Sequence, residues 1–180
     1  YTIAGTGILD RELAALAAEG VDFRLRVYQF PASDACNPMT GLGPGKPEAC
    51  LASLIACAAG IVGGDAGYRA AHAWLVAHPD EISLEAIAPT FDALPGGRAA
   101  VLAAFGDGRA LDLTRRQAEL LSKRMRVQSL PTLVVNGRVM PRWEHPGAPP
   151  REILRELLRA AAAERSGQRG EVTKPDGLGG

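Results

Sequence analysis

The chain has 180 residues, a length that fits one domain with a sizeable core. It carries 20 basic and 20 acidic side chains, so its charge does not indicate nucleic acid or an acidic surface as a partner. Its longest uncharged run, 49–64, is shorter than the roughly 18 residues that a membrane span needs. Because the chain begins at Tyr1 without a methionine or a leader-like segment, we expect a processed domain or a fragment.

The first quarter of the chain predicts a helix, a strand and a loop. Apolar residues recur at helical spacing over 8–19, and Gly20 ends that helix. Residues 21–30 then alternate between two faces, which predicts a strand. Three prolines and three glycines within 31–46 predict a loop.

The middle of the chain is predicted to be helical. Pro47 stands at the first turn of a long helix that runs to about Val62, because a missing N–H matters little there. Gly63 and Gly64 break it. Further helices are predicted over 66–77, 84–88, 97–105 and 113–125. Asp112 is a suitable N-cap for the last of these.

The segment after these helices predicts a hairpin. Pro131 precedes an aliphatic run that ends in Asn136-Gly137, the strongest short-range indication of a tight hairpin turn. A proline lacks the N–H of a central strand, so Pro131 marks a strand's first residue or a special turn. A cis bond costs only about 0.5–1 kcal/mol before proline, and we expect one here; the alternative is a trans proline where the strand begins.

The hairpin's second strand is predicted over 138–143, at a sheet edge because it contains Pro141. A last helix starts at Pro149-Pro150 and ends near Glu164. Residues 165–180 are polar and glycine-rich without an apolar period, so we expect a disordered tail after a domain that spans 1–164.

Three segments resemble the DsbA-like family of thioredoxin-fold proteins, the second of them in two parts (30–38 followed by 48–53), and the resemblance covers roughly residues 1–164. They are Ser129-Leu130-Pro131-Thr132 with its hairpin, 30–38 with Cys36-Asn37-Pro38, 48–53 with Cys50, and 71–78. The resemblance implies an α/β thioredoxin-like fold with a large helical insertion at about 47–127 and a first strand that is truncated or missing. It also implies thiol–disulfide oxidoreductase activity, and related domains are fused to vitamin K epoxide reductase-like membrane domains.

The same resemblance implies where substrate and active cysteines lie. The family's cysteine pair stands at the start of the first helix, which corresponds here to Ile3, Ala4, Gly5 and Thr6, and none of these is a cysteine. The edge formed by Ser129, Leu130 and Pro131 would bind an extended polypeptide. Whether the chain is an enzyme is therefore left open.

Three cysteines are present: Cys36, Cys50 and Cys57. Cys50 and Cys57 are about 10 Å apart along one predicted helix, too far for a disulfide. Cys36 can reach Cys50, and the bond would close a loop of about 15 residues, worth roughly 3 kcal/mol in the chain-entropy model. The pair is a structural staple, a redox-active pair or two free thiols. Cys57 is expected to be a small buried hydrophobe.

The histidines do not predict a metal site. His72 and His78 are six residues apart and fall on different faces of a helix, so structural roles are expected for both. No cofactor or metal is predicted.

Two functions follow from the sequence. The first is an extracytoplasmic (periplasmic or secreted) thiol–disulfide oxidoreductase whose usual cysteine pair is absent. The second is a redox-inactive, chaperone-like module that binds peptides. The expected partners are an extended polypeptide or disulfide-bearing protein, or a membrane quinone-linked oxidoreductase, with attachment to a membrane domain outside this chain as an alternative.

Overall fold

A computed structural model describes residues 3–41, 45–127, 130, 132–139 and 151–172. Five helices precede the hairpin: α1 (Ile3–Ala18), α2 (Pro47–Ala77), α3 (Ala88–Asp92), α4 (Gly97–Gly106) and α5 (Arg109–Lys123). The short strands β1 (Val134–Val135) and β2 (Arg138–Val139) follow, and then the helix α6 (Arg151–Val172).

The described part of the chain is mostly helical, so the expected α/β thioredoxin-like fold is wrong. Its sheet consists of β1 and β2 alone, which pair antiparallel with Val134 opposite Val139. Residues 21–30, predicted to be a strand of a larger sheet, form no strand here. The alternation misled because it does not follow burial: Leu25 and Val27 are exposed, whereas Gln29 is buried.

Several predicted helices are present with other boundaries. α1 starts five residues before the predicted position 8, and the predicted helix over 84–88 is replaced by turns that lead into α3. α5 starts at Arg109, so its N-cap is Gly108 and Asp112 lies in its first turn. α6 continues to Val172, past the predicted end near Glu164. The tail after Val172 lies outside the described residues.

The predicted hairpin turn is confirmed. Asn136 and Gly137 both have positive φ, at 48° and 81°, as a two-residue turn that follows the twist of its strands requires. The Asn136 side-chain amide also donates a hydrogen bond of 2.8 Å to the Ala161 carbonyl of α6. Pro131 and the predicted strand residues 140–143 lie outside the described residues.

The chain forms two compact units. The first contains Arg26–Leu130, with α2 to α5, and the second contains Gly5–Leu25 and Pro131–Gly180, with α1, the hairpin and α6. In the second unit Leu13, Leu16 and Leu154 are buried, and the Arg151 guanidinium of α6 lies 2.7 Å from the Glu12 carboxylate of α1.

The core of the first unit is built around α2. Its buried apolar residues are Ala52, Ile55, Ala56, Cys57, Ala58, Ala59, Ala71, Leu75, Ile87, Phe91, Val101, Ala104 and Ala110. Most of these residues on α2 are alanines, which lets neighbouring helices approach closely.

The predicted break at Gly63-Gly64 is confirmed at Gly64, whose φ of 59° and ψ of −148° are not helical. The two halves of α2 fold back so closely that a Cβ on Gly67 would overlap the Ala59 carbonyl oxygen. Gly60 likewise faces Tyr68, where an added Cβ would lie 3.3 Å from the Tyr68 Cβ. Glycine at both positions therefore permits the reversal.

α2 is the one described helix that is long and apolar enough to cross a membrane. A buried core helix has the same composition, and α2 contributes much of the core of the first unit. Its composition is therefore weak evidence for a membrane span.

We predict that Gly67→Ala destabilises the protein, because the new Cβ must displace the backbone of Ala59. The expected loss in the free energy of unfolding is about 1–3 kcal/mol, measured by urea denaturation. Gly106→Ala is the matched control: it lies in a helix with nothing near its added Cβ, so stability should be unchanged or rise by up to about 1 kcal/mol. Equal stability of the two variants would contradict the close approach.

Candidate functional site: the disulfide loop

The best-defined chemical feature is a disulfide between Cys36 and Cys50. Their Cα atoms are 5.8 Å apart, and the bond ties residues 31–40, here called the disulfide loop, to the first turns of α2. The two cysteines differ in exposure as whole residues: Cys36 is 0% exposed, whereas Cys50 is partly exposed. The partly exposed residue of the pair is therefore the one on α2.

The disulfide loop is also held by hydrogen bonds of its own, centred on the buried Asn37. Its side-chain amide donates to the Pro31 carbonyl at 2.9 Å, and its side-chain oxygen accepts from the Met39 N–H at 3.2 Å. Its backbone N–H donates to the Ser33 carbonyl at 2.9 Å. Because one buried side chain satisfies two separate backbone groups, the loop has a defined shape beyond the constraint of the disulfide.

A polar cluster fixes the segment before the loop. The Gln29 backbone N–H donates a hydrogen bond of 2.7 Å to the side-chain oxygen of Gln117 on α5. The Gln29 side-chain amide donates to the Tyr68 hydroxyl, and the Tyr68 ring stacks on His72 with centroids 5.9 Å apart. Gln29, which is 5% exposed, thus joins this segment to α5 and to the second half of α2.

The sequence did not single out Gln29 as a functional or structural residue. The available indication was its position, since it falls on the same face as Phe23, Leu25 and Val27 in the alternating segment. A lone glutamine among apolar residues predicts a buried amide with specific partners, but not which partners.

Cys57 has a different environment from the cysteines of the disulfide. It is 1% exposed in the core, and its sulfur lies 3.4 Å from the Thr114 hydroxyl. Burial raises the pKa of the Cys57 thiol above its ordinary value of 9.0, and the contact with Thr114 opposes this shift. The prediction of a small buried hydrophobe is confirmed, and the thiol is a poor nucleophile at neutral pH.

The two histidines have local aromatic partners on α2. His72 stacks on Tyr68 as described above, and the His78 ring stacks on Trp74 with centroids 4.5 Å apart. The His78 Nδ1 also lies 2.9 Å from the Trp74 carbonyl oxygen, at the C-terminal end of the helix. Among the residues that the structure describes, no three histidine, cysteine or acidic side chains form a group that could hold a metal ion.

The remaining predicted site residues are only partly described. Ile3, Ala4, Gly5 and Thr6 form the first turn of α1, and no cysteine stands there. Leu130 is half-buried, whereas Ser129 and Pro131 lie outside the described residues, and with them the expected cis bond.

Comparison with known proteins identifies no relative: no protein-family model, curated protein or solved structure matches this chain.

We predict that Asn37→Ala lowers the free energy of unfolding by about 1–3 kcal/mol, because the buried Pro31 carbonyl and the Met39 N–H lose their partners. Urea denaturation measures the loss. Ala35→Ser, at an exposed position of the same loop, is the control and should change stability by less than about 0.5 kcal/mol. Similar values for the two variants would show that Asn37 does not hold the loop.

Cys57 also predicts a pH dependence. Its thiol stays protonated in the folded state, whereas in the unfolded state it ionises near the ordinary pKa of 9.0. Its contribution to stability is therefore complete below pH 9.0 and is lost as the pH rises through the raised folded pKa. Stability of the native protein should fall more steeply above pH 9.0 than that of Cys57→Ala, in urea titrations at a series of pH values. Parallel curves would contradict the raised pKa.

Proposed function

We propose that this protein carries out thiol–disulfide exchange with polypeptide substrates, and that Cys36 and Cys50 are the exchanging pair. The observation that carries the proposal is the unequal exposure of the two bonded residues, with Cys50 partly exposed and Cys36 buried. An exchanging pair needs one sulfur that meets the substrate and a second, protected one that completes the reaction.

The exchange begins at the Cys50 sulfur. A substrate thiolate attacks it, the bond to Cys36 breaks, and Cys36 leaves as a thiolate that takes up a proton. A second substrate thiolate then attacks the substrate sulfur of the mixed disulfide and releases Cys50. The substrate loses two electrons and gains a disulfide, and Cys36 and Cys50 end as thiols. In the reverse direction, the Cys50 thiolate attacks a substrate disulfide and Cys36 releases the reduced substrate.

The hydrogen bonds within the disulfide loop support a Cys36–Cys50 bond that can be reduced and then formed again. The hydrogen bonds of Asn37 to Pro31 and Met39 do not involve either sulfur, so reduction of the disulfide does not remove the atoms that form them. Cys36 is thereby held opposite Cys50, ready to re-form the bond. A loop held by the disulfide alone would lose this arrangement on reduction.

Exposed apolar side chains before the loop and within it support a polypeptide substrate. Val27 and Tyr28 before it are 36% and 38% exposed, and Met39 within it is 44% exposed. Unfolded or extended polypeptides offer apolar side chains that such residues can bind. The disulfide further supports an extracytoplasmic location, because cytosolic reductants keep most thiols reduced.

A redox-inactive, polypeptide-binding module is the second candidate. It is favoured by the complete burial of Cys36, since a protected sulfur is also typical of a disulfide that only stabilises its loop. On this alternative the same apolar residues bind a polypeptide, but no electrons are exchanged.

The reduction potential of the pair separates the two candidates. The whole protein is equilibrated with glutathione or dithiothreitol buffers of graded potential, and its thiols are counted by alkylation and mass spectrometry. An exchanging pair should have a potential above about −270 mV, whereas a purely structural disulfide falls below about −300 mV. A value in the lower range would end the exchange proposal. Circular dichroism of the reduced protein checks that it stays folded.

A trapping experiment then tests the role of each cysteine. In a Cys57→Ala background, Cys36→Ser should accumulate a mixed disulfide between Cys50 and a disulfide-bonded peptide, because no second thiol can release it. Cys50→Ser is the matched control, in which the buried Cys36 should form at most about one tenth as much adduct. Equal trapping by both variants would contradict the assignment of Cys50 as the sulfur that meets substrate.

A further inference from the structure

Charges are segregated within the first unit, although the chain as a whole is neutral. Residues 78–97 contain four acidic side chains and no lysine or arginine. These four are Asp80, Glu81, Glu85 and Asp92, and all are exposed. None of them forms an ion pair with a described residue. Residues 80–92 are here called the acidic segment.

The opposite charge is concentrated on α5 and the residues after it. Here the exposed basic side chains are Arg115, Arg116, Lys123, Arg124 and Arg126, which we call the basic face. Lys123 pairs with Glu119 at 2.5 Å, but the four arginines form no ion pair with any residue in the described part of the chain. Two acidic residues, Asp112 and Glu119, lie among them, so the face keeps a positive excess.

The basic face can bind a partner mainly through its charge, because the apolar side of α5 is buried. The other side of α5 is already used in the first unit, where Ala110, Thr114, Ala118 and Leu121 are buried. α5 therefore has no broad apolar stripe left for a bilayer or a hydrophobic groove.

Within the described part of one molecule, the acidic segment and the basic face form no ion pair with each other. α2 and α4 each pack against both α3 and α5, whereas α3 and α5 do not contact one another. Asp92, the acidic residue on α3, is thus separated from α5 by helices of the same unit. Because the opposite charges of the acidic segment and the basic face are not paired with each other within one molecule, a second copy can pair them.

We propose that two copies of this protein associate head to tail, with the acidic segment of one copy against the basic face of the next. The contact is carried by charge complementarity, which also steers the encounter of the two molecules. Such a contact joins two different surfaces, so each pair leaves one free acidic segment and one free basic face. Association therefore extends to short chains or closes into a ring.

Ionic strength gives the first test, by sedimentation velocity of the whole protein over a range of concentrations. Charges are screened over about 30 Å at 10 mM salt but only about 8 Å at 150 mM. We expect self-association at low salt and an association constant lower by roughly tenfold or more at 150 mM. A monomer at every salt and protein concentration would overturn the proposal, as would association that salt does not weaken.

Charge reversal gives the second test. One variant carries Arg115→Glu with Arg116→Glu, and the other carries Asp80→Lys with Glu81→Lys; all four positions are exposed. Each variant alone should remain monomeric, because one of its two complementary surfaces has lost its charge excess. Arg69→Glu, at an exposed position outside both surfaces, is the matched control and should associate like the native protein.

Mixing the two variants tests whether a second copy of this protein is the molecule that binds the basic face. The first keeps a native acidic segment and the second keeps a native basic face, so an equal mixture should associate, although neither variant does so alone. A mixture that stays monomeric overturns the head-to-tail contact. Fluorescently labelled polyglutamate is the competing ligand: if it binds the native protein but not the first variant while no self-association occurs, the face serves a different acidic polypeptide and the proposal fails.

Discussion

The close contact between the two halves of α2 is the constraint on which the first unit depends. Gly64 leaves the helical conformation, and the chain then returns so closely that Gly67 lies against the Ala59 carbonyl. A side chain at Gly67 would separate the halves and open the core formed by the alanines of α2. α3, α4 and α5 all pack on α2, so their positions also follow from this contact.

The reversal of α2 also determines what surrounds the disulfide loop. Cys50 is in the first turns of α2, and Tyr68 follows the break at Gly64. The same helix therefore supplies both the disulfide partner of Cys36 and the hydroxyl that accepts a hydrogen bond from Gln29. Gln117 on α5 binds the Gln29 backbone. The segment before the loop is thus attached to two helices, and the loop itself to a third point at Cys50. Two hydrogen bonds and one disulfide thus hold an irregular segment that has no strand hydrogen bonds of its own.

The parts of the structure that sequence reasoning found are those with a local cause. Gly64 and the Asn136-Gly137 turn need positive φ, which the residue types themselves reveal. The 14-residue spacing of Cys36 and Cys50 made their pairing possible without showing it. The wrong fold came from residues 21–30, where alternation was read as a half-buried strand. Tertiary contacts of Gln29, not periodicity, decide what is buried there, and no local pattern contains them.

Cys50 and Cys57 show why residue type alone does not determine chemistry. Both lie on α2, seven residues apart, yet Cys50 is partly exposed in a disulfide whereas Cys57 is enclosed by the core beside Thr114. The thiolate of Cys57 would have to form without water, and burial opposes this. Cys50 lies at the end of the helix where the backbone dipole favours negative charge. The surroundings of each cysteine, and not its residue type, therefore determine that Cys57 is an inert part of the core whereas Cys50 is the partly exposed member of a disulfide.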